Sequence, residues 1–193
     1  MQLKRTLAVG ASAFALSLFL APASATALEA EPGAGASTPL LAQFIEGGGT
    51  ADLALQAEPA IGYIINQSGK CLEISNSSTA NGARAQQWDC KNQPGAKWGM
   101  ADAGGGTYYL YNAHSGKCLE IENSSTANGA RAQQWDCKGQ AGSKWRFYVV
   151  AGQAAKVVNA KSGKCLEIEN SSKSNGARAQ QWDCNGQLGA YWH

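Results

Sequence analysis

Histidine is nearly missing from this chain. Only His114 and His193 occur among 193 residues, and neither recurs where the rest of the sequence repeats. No repeated set of histidine ligands or proton carriers is therefore available for zinc or for acid–base chemistry. Long apolar runs are also scarce: residues 7–20 form one, but nothing approaches the ~20 residues that a membrane-crossing helix needs, so no membrane span is expected. Lys and Arg are absent from residues 28–59, whose five acids give −5. Residues 60–193 hold fourteen basic residues against nine acidic ones, or +5. That excess is spread over the whole segment without a basic stripe, which argues against a nucleic-acid partner.

What is present is a repeat. The stretch SGKCLEI-x-NSS-x-x-NGARAQQWDC occurs at residues 68–90, 115–137 and 162–184, each copy displaced by forty-seven residues from the last. A period of this size marks a supersecondary unit that buries its apolar face only by packing against its copies. Whatever site one copy carries is expected three times.

The N-terminal residues have a different character. Lys4 and Arg5, the apolar run after them and the small-residue pattern Ala23-Ser24-Ala25 form a secretory signal peptide. Cleavage is expected after Ala25, with Ala27 as second choice, and the mature protein is expected to be secreted and extracellular. Residues 26–59, rich in Ala, Gly and Pro, read as a flexible acidic leader or pro-segment. All six cysteines, Cys71, Cys90, Cys118, Cys137, Cys165 and Cys184, lie in the repeats of residues 60–193. Export makes disulfides the default, and threefold repetition favours pairing within each copy over the other connectivities. No metal site and no cofactor is expected.

The repeat reads as a β-hairpin. Residues 117–122 alternate, placing Leu119 and Ile121 on one side and Cys118, Glu120 and Glu122 on the other. Residues 131–137 form a second strand with Arg131, Gln133, Trp135 and Cys137 on one side, and residues 123–129 supply turn chemistry ending in Asn128-Gly129. If Cys118 faces Cys137, Glu120 faces Trp135; the same register pairs Glu73 with Trp88 and Glu167 with Trp182. An unpaired buried acid costs several kcal/mol, so these pairs are expected on an open surface. Flanking strands before each hairpin and after it, from Trp98, Trp145 or Trp192, give four strands per unit and about twelve in all. The third copy ends at Trp192-His193, which leaves a barrel seam to fray or to be closed by a neighbour.

These residues resemble the ricin-B-type β-trefoil lectins, which include carbohydrate-binding modules attached to bacterial xylanases. The resemblance covers residues 60–193 and rests on the K-C-L-[DE]-[IV] strand, the Asn-Gly turn, the Q-x-[YW]-D-C strand and the later Trp. It implies an all-β trefoil, three repeats of four strands forming a six-stranded barrel capped by three hairpins, each closed by its disulfide. It also implies a non-catalytic, carbohydrate-binding protein. The implied sugar sites are Glu73, Trp88 and Lys91; Glu120, Trp135 and Lys138; and Glu167, Trp182 and Asn185. A carboxylate accepts hydrogen bonds from sugar hydroxyls, and an indole covers the apolar C–H face.

The chain departs from the family pattern in two places. Glu replaces the usual Asp, and the polar pair before the final strand gives way to Gly95-Ala96, Gly142-Ser143 and Gly189-Ala190, with Asn92, Gln93, Gln140 and Gln187 nearby. Two structural alternatives stand beside the sugar reading: the indoles shield the disulfides, or the acids pair with Lys91, Lys138 or another surface Lys. At the level of function the alternative is a β-trefoil inhibitor or protein-interaction module. An enzyme is not expected, because no nucleophile, base and orienting acid come together in the sequence.

Overall fold

The computed structural model describes Leu40, Leu41 and residues 60–150 and 154–193. The expected signal peptide, its cleavage point and nearly all of residues 26–59 lie outside the described residues. The described residues contain eleven strands: β1 (Ile61–Gly62), β2 (Cys71–Ile74), β3 (Ala85–Trp88), β4 (Trp98–Gly104), β5 (Thr107–Asn112), β6 (Cys118–Ile121), β7 (Ala132–Trp135), β8 (Lys144–Val150), β9 (Ala154–Asn159), β10 (Cys165–Ile168) and β11 (Ala179–Trp182). The twelfth expected strand is reduced to bridges at Trp192. Among the described residues no helix is long and apolar enough to cross a membrane.

Two sets of pairings organise the chain. The hairpins β2–β3, β6–β7 and β10–β11 share one register, as in Leu119 opposite Gln134 and Ile121 opposite Ala132. They meet one another through bridges between Arg84 and Gln133, Arg131 and Gln180, and Gln86 and Arg178, so the three form a closed triangle. The other set is a ring in which β1 pairs with β4, β4 with β5, β5 with β8, and β8 with β9. Trp192 closes it by bridging both Ala155 and Asn66, and Ile65 and His193 exchange backbone hydrogen bonds of 2.9 and 2.8 Å. The seam is thus closed within the chain, because the short C-terminal segment pairs with the backbone following β1. The fold is a β-trefoil.

The core follows from the alternation. Leu72, Ile74, Leu119, Ile121, Leu166 and Ile168 point inward with Trp98, Trp145 and Trp192, all fully buried. Each of these indoles donates Nε1–H to the Leu carbonyl of its own repeat, at 2.9 Å to Leu72 and 3.0 Å to Leu119 and Leu166. A buried indole therefore has its one donor satisfied while its ring fills the barrel. The other face of these strands is not open. All four residues from Cys118 to Ile121 are buried, because the short turn Ala141–Ser143 lies across them. Gly142 allows that approach: a Cβ there would sit 2.7 Å from the Ile121 carbonyl oxygen, and Gly95 and Gly189 stand in the same relation to Ile74 and Ile168.

The disulfides join Cys71 to Cys90, Cys118 to Cys137 and Cys165 to Cys184, each within one repeat. Beside them lies an ion pair between the Lys before the first Cys and the Asp before the second: Lys70 with Asp89 at 2.5 Å, Lys117 with Asp136, and Lys164 with Asp183. The Lys ammonium and then the Asn of a neighbouring turn hold the Asp89 and Asp136 carboxyls down at about 2; Asp183 is lowered by the same two kinds of donor.

Two residues inside the segment read as a leader join the core. Leu40 and Leu41 are 2 % and 1 % exposed and belong to the central apolar cluster. The Leu40 amide donates to the Tyr63 carbonyl at 2.8 Å, and Gly62 makes room, since a Cβ there would lie 3.1 Å from the Leu40 nitrogen. Apolar burial explains the attachment: both leucine side chains are withdrawn from water against the core.

Two predictions arise from these contacts. Replacing Leu40 or Leu41 by Ala lowers the unfolding free energy by about 2–5 kcal/mol per site, read from urea denaturation; an unchanged midpoint contradicts their place in the core. Because the Asp89 and Asp136 carboxyls are held down at about 2 in the folded state, their contribution to stability is complete above about pH 4 and is lost as pH falls toward about 2, and Asp183 acts in the same direction. A plot of melting temperature against pH should fall across that window, and Asp136→Asn should flatten it.

Candidate functional site

Each hairpin turns sharply after its first strand. In repeat 2 the chain leaves β6 through Glu122–Ser124, where Asn123 and Ser124 adopt φ of 56° and 50°. Asn tolerates this left-handed region better than most residues. The asparagines of the three Asn-Ser-Ser triplets are therefore turn residues, as their composition suggests. Ser124 Oγ then accepts the Gly142 amide at 2.9 Å, which pins the following turn over the hairpin.

The register differs from the expected one. Cys118 lies opposite Trp135 and Glu120 opposite Gln133, with the same shift in the other repeats. The second strand stops at Trp135, and Cys137 lies beyond it, so the disulfide joins Cys118 to a residue two positions past its strand partner. The cystine therefore marks the end of the ladder rather than a rung. Gln133 and Trp135 still share a face, so Glu120 meets the indole diagonally instead of directly.

Those groups line one shallow pocket of about 330 Å³, formed by Glu120, Asn123, Ser124, Gln133, Trp135, Lys138 and Gln140. Trp135 is 40 % exposed, and Trp88 and Trp182 are 38 % and 39 % exposed. The acids, expected on an open surface, are instead 4–5 % exposed. What makes their burial tolerable is pairing with neutral amides. Gln133 Nε2 donates to one Glu120 oxygen at 3.0 Å and Gln140 Nε2 to the other at 2.7 Å. Glu73 receives the same pair of bonds from Gln86 and Gln93, at 2.8 and 2.7 Å. Gln180 and Gln187 serve Glu167 at 2.9 and 2.7 Å.

Among the described residues no lysine pairs with these acids. Lys91 and Lys138 lie at the rim, with ammonium groups 3.6 and 3.5 Å from Asp89 and Asp136 rather than on Glu73 or Glu120. Their backbone amides, and that of Asn185, donate to Gln93, Gln140 and Gln187 Oε1 at 2.8–2.9 Å. Each of these glutamines also donates to the carbonyl of the Asp before the cystine, which fixes its amide. They brace the acid from two positions before Gly95, Gly142 and Gly189. Sequence reasoning named them only as nearby polar groups and missed Gln86, Gln133 and Gln180. The available signal was their position two residues before each exposed Trp, on the same strand face.

The repeats are not identical. Arg131 and Arg178 Nη2 donate to Glu122 and Glu169 at 2.6 and 2.7 Å, whereas repeat 1 has Ser75 at the corresponding place.

Comparison with known proteins places this geometry. A family model described as ricin-type beta-trefoil lectin domain-like matches residues 61–135 and 141–193. The designed threefold-symmetric protein ThreeFoil is similar at 34 % identity and a TM-score of 0.67, over 69 % of this chain and 96 % of that one. Similar too is 1,3Gal43A, an exo-beta-1,3-galactanase from Clostridium thermocellum, at 25 % identity and TM-score 0.68; the match covers 71 % of this chain and 30 % of the galactanase. The Rhizoctonia solani agglutinin shares the fold, with 17 % identity, TM-score 0.62 and coverage of 72 % and 95 %. No curated protein matches in sequence. A family match over most of the chain, together with three cystine-closed hairpins that each carry a buried acid, two glutamines and an exposed indole, makes this protein a member of the ricin-type β-trefoil lectin-like family.

Proposed function

We propose that the protein is a secreted, non-catalytic lectin that binds a polysaccharide or surface glycan through up to three repeated sites. Membership of the lectin family supports carbohydrate binding as the activity. The observation that carries the reading is the pairing, in every repeat, of an exposed indole with a carboxylate whose position is fixed by two amides. In the bound state the indole stacks on the C–H face of a sugar ring. Hydroxyls of that ring bond to the polar floor formed by Glu120, Gln133 and Gln140, and Lys138 contacts the ligand at the rim. Glu73, Trp88 and Lys91, and Glu167, Trp182 and Asn185, play these parts in the other repeats.

Weak individual sites suffice, because three sites on one polymer raise the effective concentration of each. Three cystines and the sequence of the first twenty-five residues support export. A protein-binding role rests on less. Tyr148, Val149 and Leu188 are well exposed, but they form no repeated set, whereas the indoles do.

Affinity electrophoresis through gels containing β-1,3-galactan, xylan or galactomannan tests the proposal. The parent chain should be retarded by at least one polymer. Trp88→Ala, Trp135→Ala or Trp182→Ala should each weaken its own site about tenfold, equivalent to ~1.4 kcal/mol, and the triple variant should migrate as in an empty gel. A parent chain that no polymer retards overturns the lectin reading.

A further inference from the structure

The turn at the tip of each hairpin faces the exposed indole of the next repeat, not that of its own. Gly82 adopts φ +78°, and a Cβ there would lie 3.6 Å from Trp135 Cζ3; Gly129 stands 3.6 Å from Trp182 in the same sense, and Gly176 the same distance from Trp88. The asparagine before each glycine makes a second contact across the boundary. Asn81 Oδ1 accepts the Asp136 amide at 3.1 Å, Asn128 that of Asp183 at 3.0 Å, and Asn175 that of Asp89 at 3.1 Å. Asn128 and Asn175 also donate Nδ2–H to the Asp183 and Asp89 carboxylates at 2.7 and 3.0 Å.

The backbone fixes these turns in place. Gln134 exchanges hydrogen bonds with Gly82 and Ala83, each 2.9 Å, and its buried amide donates to the Ser78 and Ala80 carbonyls. The equivalent bonds run from Gln181 to the repeat 2 turn and from Gln87 to the repeat 3 turn. One acceptor is left over at such a junction. Gln180 Oε1, buried beside Trp182, has no protein partner among the described residues, and it lies 3.9 Å from where a Gly129 Cβ would be.

We propose that each carbohydrate site is composite: the Asn-Gly turn of one repeat forms a wall of the site in the next, in the cyclic order repeat 1 to 2, 2 to 3 and 3 to 1. This rests on the lectin reading and adds Asn81, Asn128 and Asn175 as positioning residues for Trp135, Trp182 and Trp88. The asparagine holds the Asp that follows the indole, and so sets the angle of the ring. The glycine leaves the Cζ3 edge uncovered, which opens a path across the indole for the next unit of an oligosaccharide. Near-identity of the three turns, which core packing does not require, becomes a demand of the neighbouring site.

The test uses the full chain with ¹⁵N-labelled indoles, whose Nε1–H signals report Trp88, Trp135 and Trp182 separately, and lactose as the probe. Without sugar, Asn128→Ala should displace the Trp182 signal and leave Trp135, the indole of its own repeat, unmoved; Asn81→Ala should displace Trp135 and leave Trp88 unmoved. With lactose, Asn128→Ala should weaken the response of Trp182 about tenfold while that of Trp135 keeps its affinity. Unmoved signals from the core indoles Trp98, Trp145 and Trp192 mark an intact fold. Displacement confined to the indole of the mutated repeat, equal displacement of all three, or no displacement overturns the composite site. If lactose moves no indole of the parent, the sugar-free signals still decide the question, and the polymer gels decide the lectin reading separately.

Discussion

A carboxylate removed from water needs hydrogen-bond donors, and much of this protein is arranged around meeting that need three times. Glu73, Glu120 and Glu167 lie under short turns with almost no exposed surface, and each receives two glutamine amides. One amide comes from the facing strand, which fixes hairpin register; the other comes from the loop after the cystine, which fixes where that loop runs. Leaving either acid oxygen unpaired would cost more than the net gain of an ordinary hydrogen bond. The acid therefore acts as a local template: strand, loop and pocket floor are specified together. The exposed indole two residues beyond the first glutamine inherits its position from the same arrangement.

Neutral amides are a telling choice of partner. Lysine was chemically available at the rim, yet the ammonium groups there go to the aspartates beside the cystines. This separates two electrostatic tasks. The Lys–Asp pairs tie the two ends of the hairpin together in partly solvated positions, while among the described residues the buried acids are held by glutamine amides. Close approach of the overlying turn is possible because Gly95, Gly142 and Gly189 carry no side chain at the contact. Gly95-Ala96, Gly142-Ser143 and Gly189-Ala190 carry no side-chain amide at that point, and Gln93, Gln140 and Gln187 supply the donor to the acid.

Much of this was legible in the residues. The period of forty-seven, the alternation of Cys-Leu-Glu-Ile and the paired cysteines gave the three hairpins and favoured disulfides within each copy, because these depend on short-range pattern and exact repetition, and the resemblance to the ricin-B-type lectins supplied the trefoil. Register did not follow from that pattern, since a cystine was taken to join facing residues, whereas it lies beyond the last strand pair. The burial of the acids was missed for a related reason: their donors sit thirteen and twenty residues away, and nothing local announces that two glutamines converge on one carboxylate. Contacts between repeats were equally hidden, because identical copies give no indication of which neighbour each turn touches. Leu40 and Leu41 were obscured by the composition around them.

The most direct measurement is a crystal structure of the chain with a saccharide that retards it in gels. The account predicts a sugar ring stacked on Trp88, Trp135 or Trp182, with its hydroxyls on the acid–amide floor of the same pocket and its edge against the preceding repeat's Asn-Gly turn. A sugar seated elsewhere on the trefoil, with those three indoles left bare, would contradict it.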